Sequence, residues 1–380
     1  MKKICFVTTI STTIKAFLVD LAQYLSKERE YDVTFICSPD ESLYAYCNTH
    51  IHYIPIHIKR GVGADGLKVI NQLTNIFKKE QFDIVQYSTP NAALYASIAA
   101  KRANIKNRLY CQWGIRYMGL SGIGRVAMKM AEKITCTCST TIECESFSLM
   151  EFSLTENLYP KEKASVIWNG SACGVNLEKF QIQNREKWRD EYRQKLNIPK
   201  SSMVFGYTGR ITKDKGINEL FQAFRMILDK FDARLLIVGG FDNADSISPE
   251  LLDWAKNNPK VLFTGWTSDV AKYYCAMDVF LSLSYREGFG LVVIEAASMG
   301  IPAIVTDVPG QIDTVSEYQT GIHVPAKDPL KVQVAIEYFI AHPDKVKEMG
   351  LAARRNVENN YEQRKLFAKL ANHRDIIIGQ

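Results

Sequence analysis

No stretch of this 380-residue chain stays apolar over the ~18 positions that a membrane-crossing helix needs. The opening segment MKKICFVTTISTTIKAFLVDL already carries Lys15 and Asp20, and CFVTTI (5–10) is too short and polar to read as a signal peptide. Nine cysteines are scattered without the spacing of a disulfide framework, and CTC (136–138) with Cys144 is not a zinc signature. Buried thiols are the expectation there. The six histidines also lack metal-ligand spacing: His50, His52 and His57 fall in a β-like region, His323 follows the last major loop, and His342 and His373 lie in peripheral helices. The aromatic interleaving of nucleic-acid-binding sheets is missing, so nucleic acid is not an expected partner. These absences point to a soluble, cytosolic chain that requires no metal and carries no resident cofactor.

What is present is material for two cores. The length and a 47% hydrophobic fraction exceed what a single core usually absorbs. ICFVTT (4–9), VTFIC (33–37), DIVQY (83–87), RLYCQW (108–113) and VIWNG (166–170) are β-prone runs separated by helical spacing such as Phe17, Leu18, Leu21 and Leu25. After the polar segment EKFQIQNREKWRDEYRQKLNIP the pattern restarts with MVFGYTG (203–209), RLLIVGG (234–240), VLFTG (261–265), VFLSLS (279–284) and PAIVTD (302–307). The alternation predicts an α/β fold of two doubly wound, Rossmann-like domains facing a central crevice, with the junction near 175–200. Tyr361, Leu366, Phe367 and Leu370 predict a C-terminal helix that can cross back to the first domain. The net charge of +6 is uneven: residues 1–180 hold 21 Lys+Arg against 16 Asp+Glu, and residues 181–380 hold 26 against 25.

Candidate chemistry collects at strand ends. REGFGLVVIEAASMG (286–300) places Glu287 in a glycine-bearing loop and Glu295 eight residues on, inside a helix beginning near Phe289. Backbone N–H groups from Gly288 to Leu291, around Gly290, lack intrahelical acceptors and can cradle a phosphate. An anionic Glu295 on the inner face needs donors, which vicinal ribose hydroxyls supply. A helix cap and a salt bridge account for the same acids. GYTGRITKDKG (206–216) sets Arg210 and Lys215 after Gly209, as a fork and a point charge for one diphosphate, or as ordinary surface charges. This loop is neither a Walker loop nor GxGxxG. Gly239 and Gly240 permit close approach or a tight turn, and backbone groups near Trp266, with Gly265 and Asp269, can read a base edge unless Trp266 is a packing residue. Taken together, the loops favour a nucleoside diphosphate. In the first half, Thr8, Thr9, Ser11, Thr12 and Thr13 either cap a helix or face the ligand, and Asn91, Gln112 and Arg116 offer donors toward an acceptor. Along SGIGRVAMKMAEKI (121–134), Arg125, Lys129 and Lys133 recur every four residues, flanked by Ile123, Val126, Met130 and Ile134. That pattern fits a helix on anionic lipid, or a solvated charged face above a core stripe. KRANIKNR (101–108) adds four cations and tips the balance toward the membrane surface.

At GYTGRITKDKG, REGFGLVVIEAASMGIPAIVTD and VIWNGSACGVNLEKF (166–180) the chain resembles the retaining glycosyltransferases of family 4, which have the GT-B fold, over nearly its whole length. The resemblance implies an acceptor-binding domain over 1–175, with a helix over 361–380 as a candidate to complete it, and a nucleotide-sugar-binding domain over 176–360. It implies that Glu295 grips the ribose, that Glu287 sits by the transferred sugar, and that Arg210 and Lys215 neutralise the diphosphate. YSTPNAA (87–93) and NGSACGVNLEKF look like segments of enzymes that build lipid-linked oligosaccharide, O-antigen or capsule. Those act on polyprenyl-diphosphate sugars at the cytoplasmic membrane face, usually with a UDP-sugar. Two departures stand out: TTISTTIK replaces the glycine pair many members carry in the first loop, and Trp113 stands where many have a histidine before Gly114. A UDP-sugar 2-epimerase of the same architecture, and a transferase with a soluble sugar acceptor, are the alternative expectations.

Overall fold

In the computed structural model, described over residues 1–59, 61, 65–242 and 246–379, the chain forms two compact units. One comprises residues 1–173 with 364–380, the other residues 174–363. The first holds a seven-stranded parallel sheet of β1 (Lys2–Val7), β2 (Tyr31–Cys37), β3 (Ile51–Pro55), β4 (Ile84–Tyr87), β5 (Asn107–Gln112), β6 (Thr141–Cys144) and β7 (Ala164–Val166), in the order β3-β2-β1-β4-β5-β6-β7. The second holds β8 (Met203–Thr208), β9 (Ala233–Val238), β10 (Val261–Phe263), β11 (Val279–Ser282), β12 (Ala303–Thr306) and β13 (Gly321–Val324), in the order β10-β9-β8-β11-β12-β13.

Helices on both faces bury these strands, which is why they read as continuous apolar runs: Ile4, Cys5 and Phe6 have no exposure, nor do Phe280 and Leu281. Strand order reverses between β1 and β4 in one sheet and between β8 and β11 in the other. Loops at the C-terminal ends of those pairs are therefore neighbours in space although 70 or more residues separate them.

Three features differ from the sequence reading. Strand β7 ends at Val166, where VIWNG was expected to begin, and Trp168 takes a positive φ of 55° instead of extending the strand. β6 and β13 were not among the expected runs, each carrying a polar or charged residue, Glu143 and His323, within four residues. The polar segment over 178–199 is not a bare connector: Arg185–Lys195 is a helix of the second unit, and Arg189 and Arg193 each reach a carboxylate oxygen of Asp278 at 2.6 Å.

The C-terminal helix Gln363–Gly379 packs on the first unit, burying Leu366, Phe367, Leu370 and Arg374. Where the chain passes between units, Val175 N–H donates to Tyr361 O at 2.8 Å and Gln363 N–H to Val175 O at 3.0 Å. Gly174 adopts φ +64°, and a Cβ there would lie 2.7 Å from Tyr361 O. A side chain would push the two passages apart.

Candidate active site

In the second unit, glycine backbones hold three strand-end loops together. Gly209 N–H donates to Val238 O at 3.0 Å, Ile211 N–H to Gly240 O at 2.9 Å, and Gly239 N–H to Gly265 O at 2.9 Å. Gly239 has φ +148°, and a Cβ on it would sit 1.8 Å from the Gly209 carbonyl oxygen. Glycine at 239 is thus required by the neighbouring loop itself.

The switch point between β8 and β11 brings the two charged motifs into contact. Tyr285 N–H donates to Asp214 O at 2.9 Å, Arg286 reaches Asp214 at 3.2 Å, and Lys215 is ion-paired with Glu287. Ser284 Oγ holds the same Glu287 oxygen at 2.7 Å. Arg210, on the outer part of the loop, is exposed and pairs with Asp242 at 2.7 Å. Both cations therefore rest on carboxylates, which an incoming diphosphate would have to share or displace.

Helix Leu291–Ser298 starts from Gly290, whose φ of +97° turns the chain into it, and no side chain caps its first turn. The start is later than Phe289, whose ring is core and packs on Tyr361 with centroids 5.4 Å apart. Only backbone at 289 is left to face a ligand. Glu295 lies just over a turn into the helix and retains partial exposure; its carboxylate accepts from Tyr274 Oη at 3.1 Å. Burial pushes the Glu295 carboxyl up to about 7, against the opposing pull of Tyr274 and Lys179. Trp266 is 80% exposed, so it is not a packing residue.

Sequence reading missed the support beneath this site. Gly310 has φ +89°, and its Cβ would lie 2.5 Å from Gly288 O and 2.6 Å from Glu287 O. Gln311, fully buried, donates its amide to Ser282 O and to Thr306 Oγ1 at 3.2 Å. The turn after β12 thus forms the floor of the Glu287–Gly288 loop. The dipeptide Pro309-Gly310 was the available signal. Tyr274 carried none, because a buried tyrosine looks the same whatever its hydroxyl touches.

In the first unit the corresponding switch point joins the loops after β1 and β4: Thr9 Oγ1 and Thr89 Oγ1 lie 2.8 Å apart, and Thr89 adopts φ +66°. Ser11 and Lys15 both bond Asp40, at 2.5 and 2.8 Å. Helix Ser11–Phe17 begins at Ile10 with no side-chain cap, so capping does not explain the hydroxyl-rich loop. Thr12 and Arg116 are exposed. Two expected acceptor-side donors have partners within the unit. Asn91 donates both amide bonds to the carbonyls of Lys59 and Gly61, at 2.9 and 2.5 Å. Gln112 is fully buried, donating to Glu132 at 2.8 Å and accepting from Ser153 and Tyr159 at 3.0 Å each. In the position before Gly114, Trp113 packs on Phe17 with centroids 5.3 Å apart. Cys136, Cys138 and Cys144 are buried free thiols. Among the described residues no group of three His, Cys, Asp or Glu side chains is placed to hold a metal.

Residues 188–356 match the family described as Glycosyl transferases group 1, and residues 3–146 match Glycosyl transferase 4-like. The capsular polysaccharide biosynthesis glycosyltransferase CapM of Staphylococcus aureus is 34% identical over 97% of this chain and 96% of its own. The chain belongs to the glycosyltransferases. A further relative of this glycosyltransferase is the UDP-Gal:alpha-D-GlcNAc-diphosphoundecaprenol alpha-1,3-galactosyltransferase of Escherichia coli, 24% identical over 80% of this chain and 79% of that one. Among solved structures, sucrose-phosphate synthase of Thermosynechococcus elongatus superposes with a TM-score of 0.82 over the full length of both chains at 20% identity, which shows the shared GT-B fold. The activity is transfer of a sugar from a nucleotide-sugar donor to a glycan acceptor.

Proposed function

We propose that this glycosyltransferase is a retaining enzyme of family 4 that moves a sugar from a UDP-sugar to a polyprenyl-diphosphate-linked saccharide at the cytoplasmic face of the membrane, in surface-polysaccharide assembly. The observation that carries the donor side is the meeting of Lys215 with Glu287 beside the uncapped start of the Leu291 helix. A diphosphate placed there meets two cations and the backbone amides at the start of a helix that no side chain caps. Gly209 and Gly239 keep the backbone bare for close approach, backbone near Trp266 reads the base, and amides from Gly288 to Leu291 receive the phosphates. Glu295 accepts from the ribose hydroxyls, and Glu287 lies by the transferred sugar. The names of the Staphylococcus and Escherichia relatives favour a capsule-type, lipid-linked acceptor. On the acceptor side, Thr12 and Arg116 remain presented to solvent, while Asn91 and Gln112 act by holding the loops behind them.

With Trp113 in place of a histidine, the acceptor proton has a different destination. In a same-face transfer the bond from the anomeric carbon to the diphosphate oxygen breaks, the acceptor oxygen bonds that carbon on the same face, and its proton passes to the departing diphosphate. Arg210 and Lys215 stabilise that leaving group. The test is mass spectrometry of purified protein with UDP-, GDP- and ADP-sugars and membrane extract. UDP released together with a glycolipid carrying an α-linked new sugar (for an α-configured donor) is the expected result. Inversion at C2 without an acceptor would replace this reading with an epimerase. UDP release onto soluble sugars alone would remove the lipid-linked acceptor.

A further inference from the structure

The helix Gly122–Cys138 is amphipathic the wrong way round for a globular protein. Ile123 is 89% exposed, Val126 66%, Met130 58% and Ile134 39%, and their spacing of three and four residues makes them one ridge. The side turned inward carries Glu132, Thr135 and Cys136. Glu132 fixes that orientation, accepting from Tyr110 Oη and Gln112 Nε2 at 2.8 Å each. Rolling the helix to bury the ridge would break both bonds and lift Met128, Ala131 and Cys136 off the core. The core-stripe reading of this pattern therefore fails.

The chain segment that carries the ridge is strongly basic. From Lys101 to Lys133 the chain carries eight lysines and arginines and a single acid, the buried Glu132. Arg125 and Lys129 turn to Glu156, at 3.9 and 2.7 Å. Arg116 before the helix, Lys133 on it, and Lys101 and Lys106 beside its end are exposed and make no ion pair among the described residues. Arg108 brings Lys106 there, bonding both Cys138 O and Ile105 O at 2.6 Å. Four aliphatic side chains expose on the order of 400 Å², the size of a functional patch. That is about half the ~800 Å² per partner that a stable protein dimer buries. A ridge of this size ringed by cations matches a surface that is apolar within and anionic at its rim.

We propose that the Gly122–Cys138 helix lies on an anionic lipid bilayer, with Ile123, Val126, Met130 and Ile134 set below the headgroups and the flanking cations among them. This inference rests on the membrane-side acceptor proposed above and names the face that docks. The experiment is flotation of the full chain with phosphatidylcholine vesicles, with and without phosphatidylglycerol, for the wild type, Ile123→Ser/Val126→Ser/Met130→Ser and Lys133→Glu. Thermal unfolding confirms that the variants fold. Expected results are wild-type flotation only with the anionic vesicles, at least about tenfold weaker binding for the triple variant, and weaker, less salt-sensitive binding for Lys133→Glu. Absence of wild-type flotation, or equal flotation of the triple variant, overturns the proposal. So does a wild-type dimer that the triple variant converts to monomer without vesicle binding, because the ridge is then a self-interface. UDP release on a detergent-solubilised acceptor separates the two claims. Release without flotation removes only the docking face, and flotation without release removes only the acceptor reading.

Discussion

Replacing Arg374 by methionine keeps an apolar stem and takes the guanidinium from a site where 1% of the side chain is exposed. That guanidinium donates to Gln86 Oε1 at 3.1 and 2.8 Å, to the two Glu143 oxygens at 3.0 and 3.2 Å, and to Leu370 O at 2.9 Å. Without it the buried Glu143 keeps the His373 imidazole at 3.0 Å and the Cys111 thiol at 3.6 Å. Breaking a buried pair from one side costs about 3–5 kcal/mol. Acid supplies a second signature. Burial pushes the Glu143 carboxyl up, but Arg374, followed by His373, pulls it down further, to about 2. Lying below the ordinary ~4.3 of the unfolded chain, this carboxylate contributes about 3 kcal/mol of stability above pH ~4.5 that is lost as pH falls through 2. In Arg374→Met that pull is gone, so the gap between variant and wild type should narrow as pH drops from 7 to 3. Two units need not unfold together, so hydrogen exchange by mass spectrometry should be read separately for 1–173 and 174–363. Expected is lost protection in the first unit and none in the second. A loss below about 1 kcal/mol at pH 7, or a gap that stays constant at pH 3, would refute the reasoning.

Under saturating donor, Lys215→Ala and Arg210→Ala should each lower turnover about 10²–10³-fold with little change in unfolding temperature, measured by UDP release. Unchanged turnover in either would exclude that residue from the leaving-group site. If Glu295 holds the ribose as proposed, nucleotide affinity should rise as pH increases through about 7, because the ionised carboxylate accepts from hydroxyls more strongly than the protonated acid; calorimetric titration should show Glu295→Gln flat over the same range. The same raised value makes wild-type stability fall between pH ~4.3 and 7, where the folded carboxyl holds a proton that the unfolded one releases. Gly239→Ala should destabilise the second unit by about 1–3 kcal/mol from backbone strain, plus the cost of separating it from Gly209, as seen in a denaturant midpoint. Trp266→Ala, at an exposed position, should leave stability within about 0.5 kcal/mol and, if backbone rather than the ring reads the base, nucleotide affinity little changed in the same calorimetric titration.

The doubly wound architecture was legible because strands covered on both faces have no alternation to hide them, and ICFVTT or VFLSLS stand out from polar helices. Strand β6 does not, since TIEC contains a glutamate whose charge is answered by Arg374 from the far end of the chain. The same distance effect governs the site. Glu287 and Lys215 were visible as types, but their pairing follows from strand order, which no local pattern encodes. Asn91 and Gln112 were ambiguous because an amide at a strand end serves a ligand and a neighbouring protein acceptor equally well. The helix over 122–138 was ambiguous by its period alone, and the buried Glu132 decided which side faces out.

The return of residues 364–380 to the sheet begun at Lys2 has a consequence for biosynthesis. During translation the second unit emerges with all of its strands before the Gln363–Gly379 helix exists, so the half made first is the half finished last. Until the Gln363–Gly379 helix emerges, Gln86 and Glu143 wait without their guanidinium, and any product terminated before that helix should be defective at its front. Changes within the Gln363–Gly379 helix would then perturb the first unit, a reversal of what position along the chain suggests.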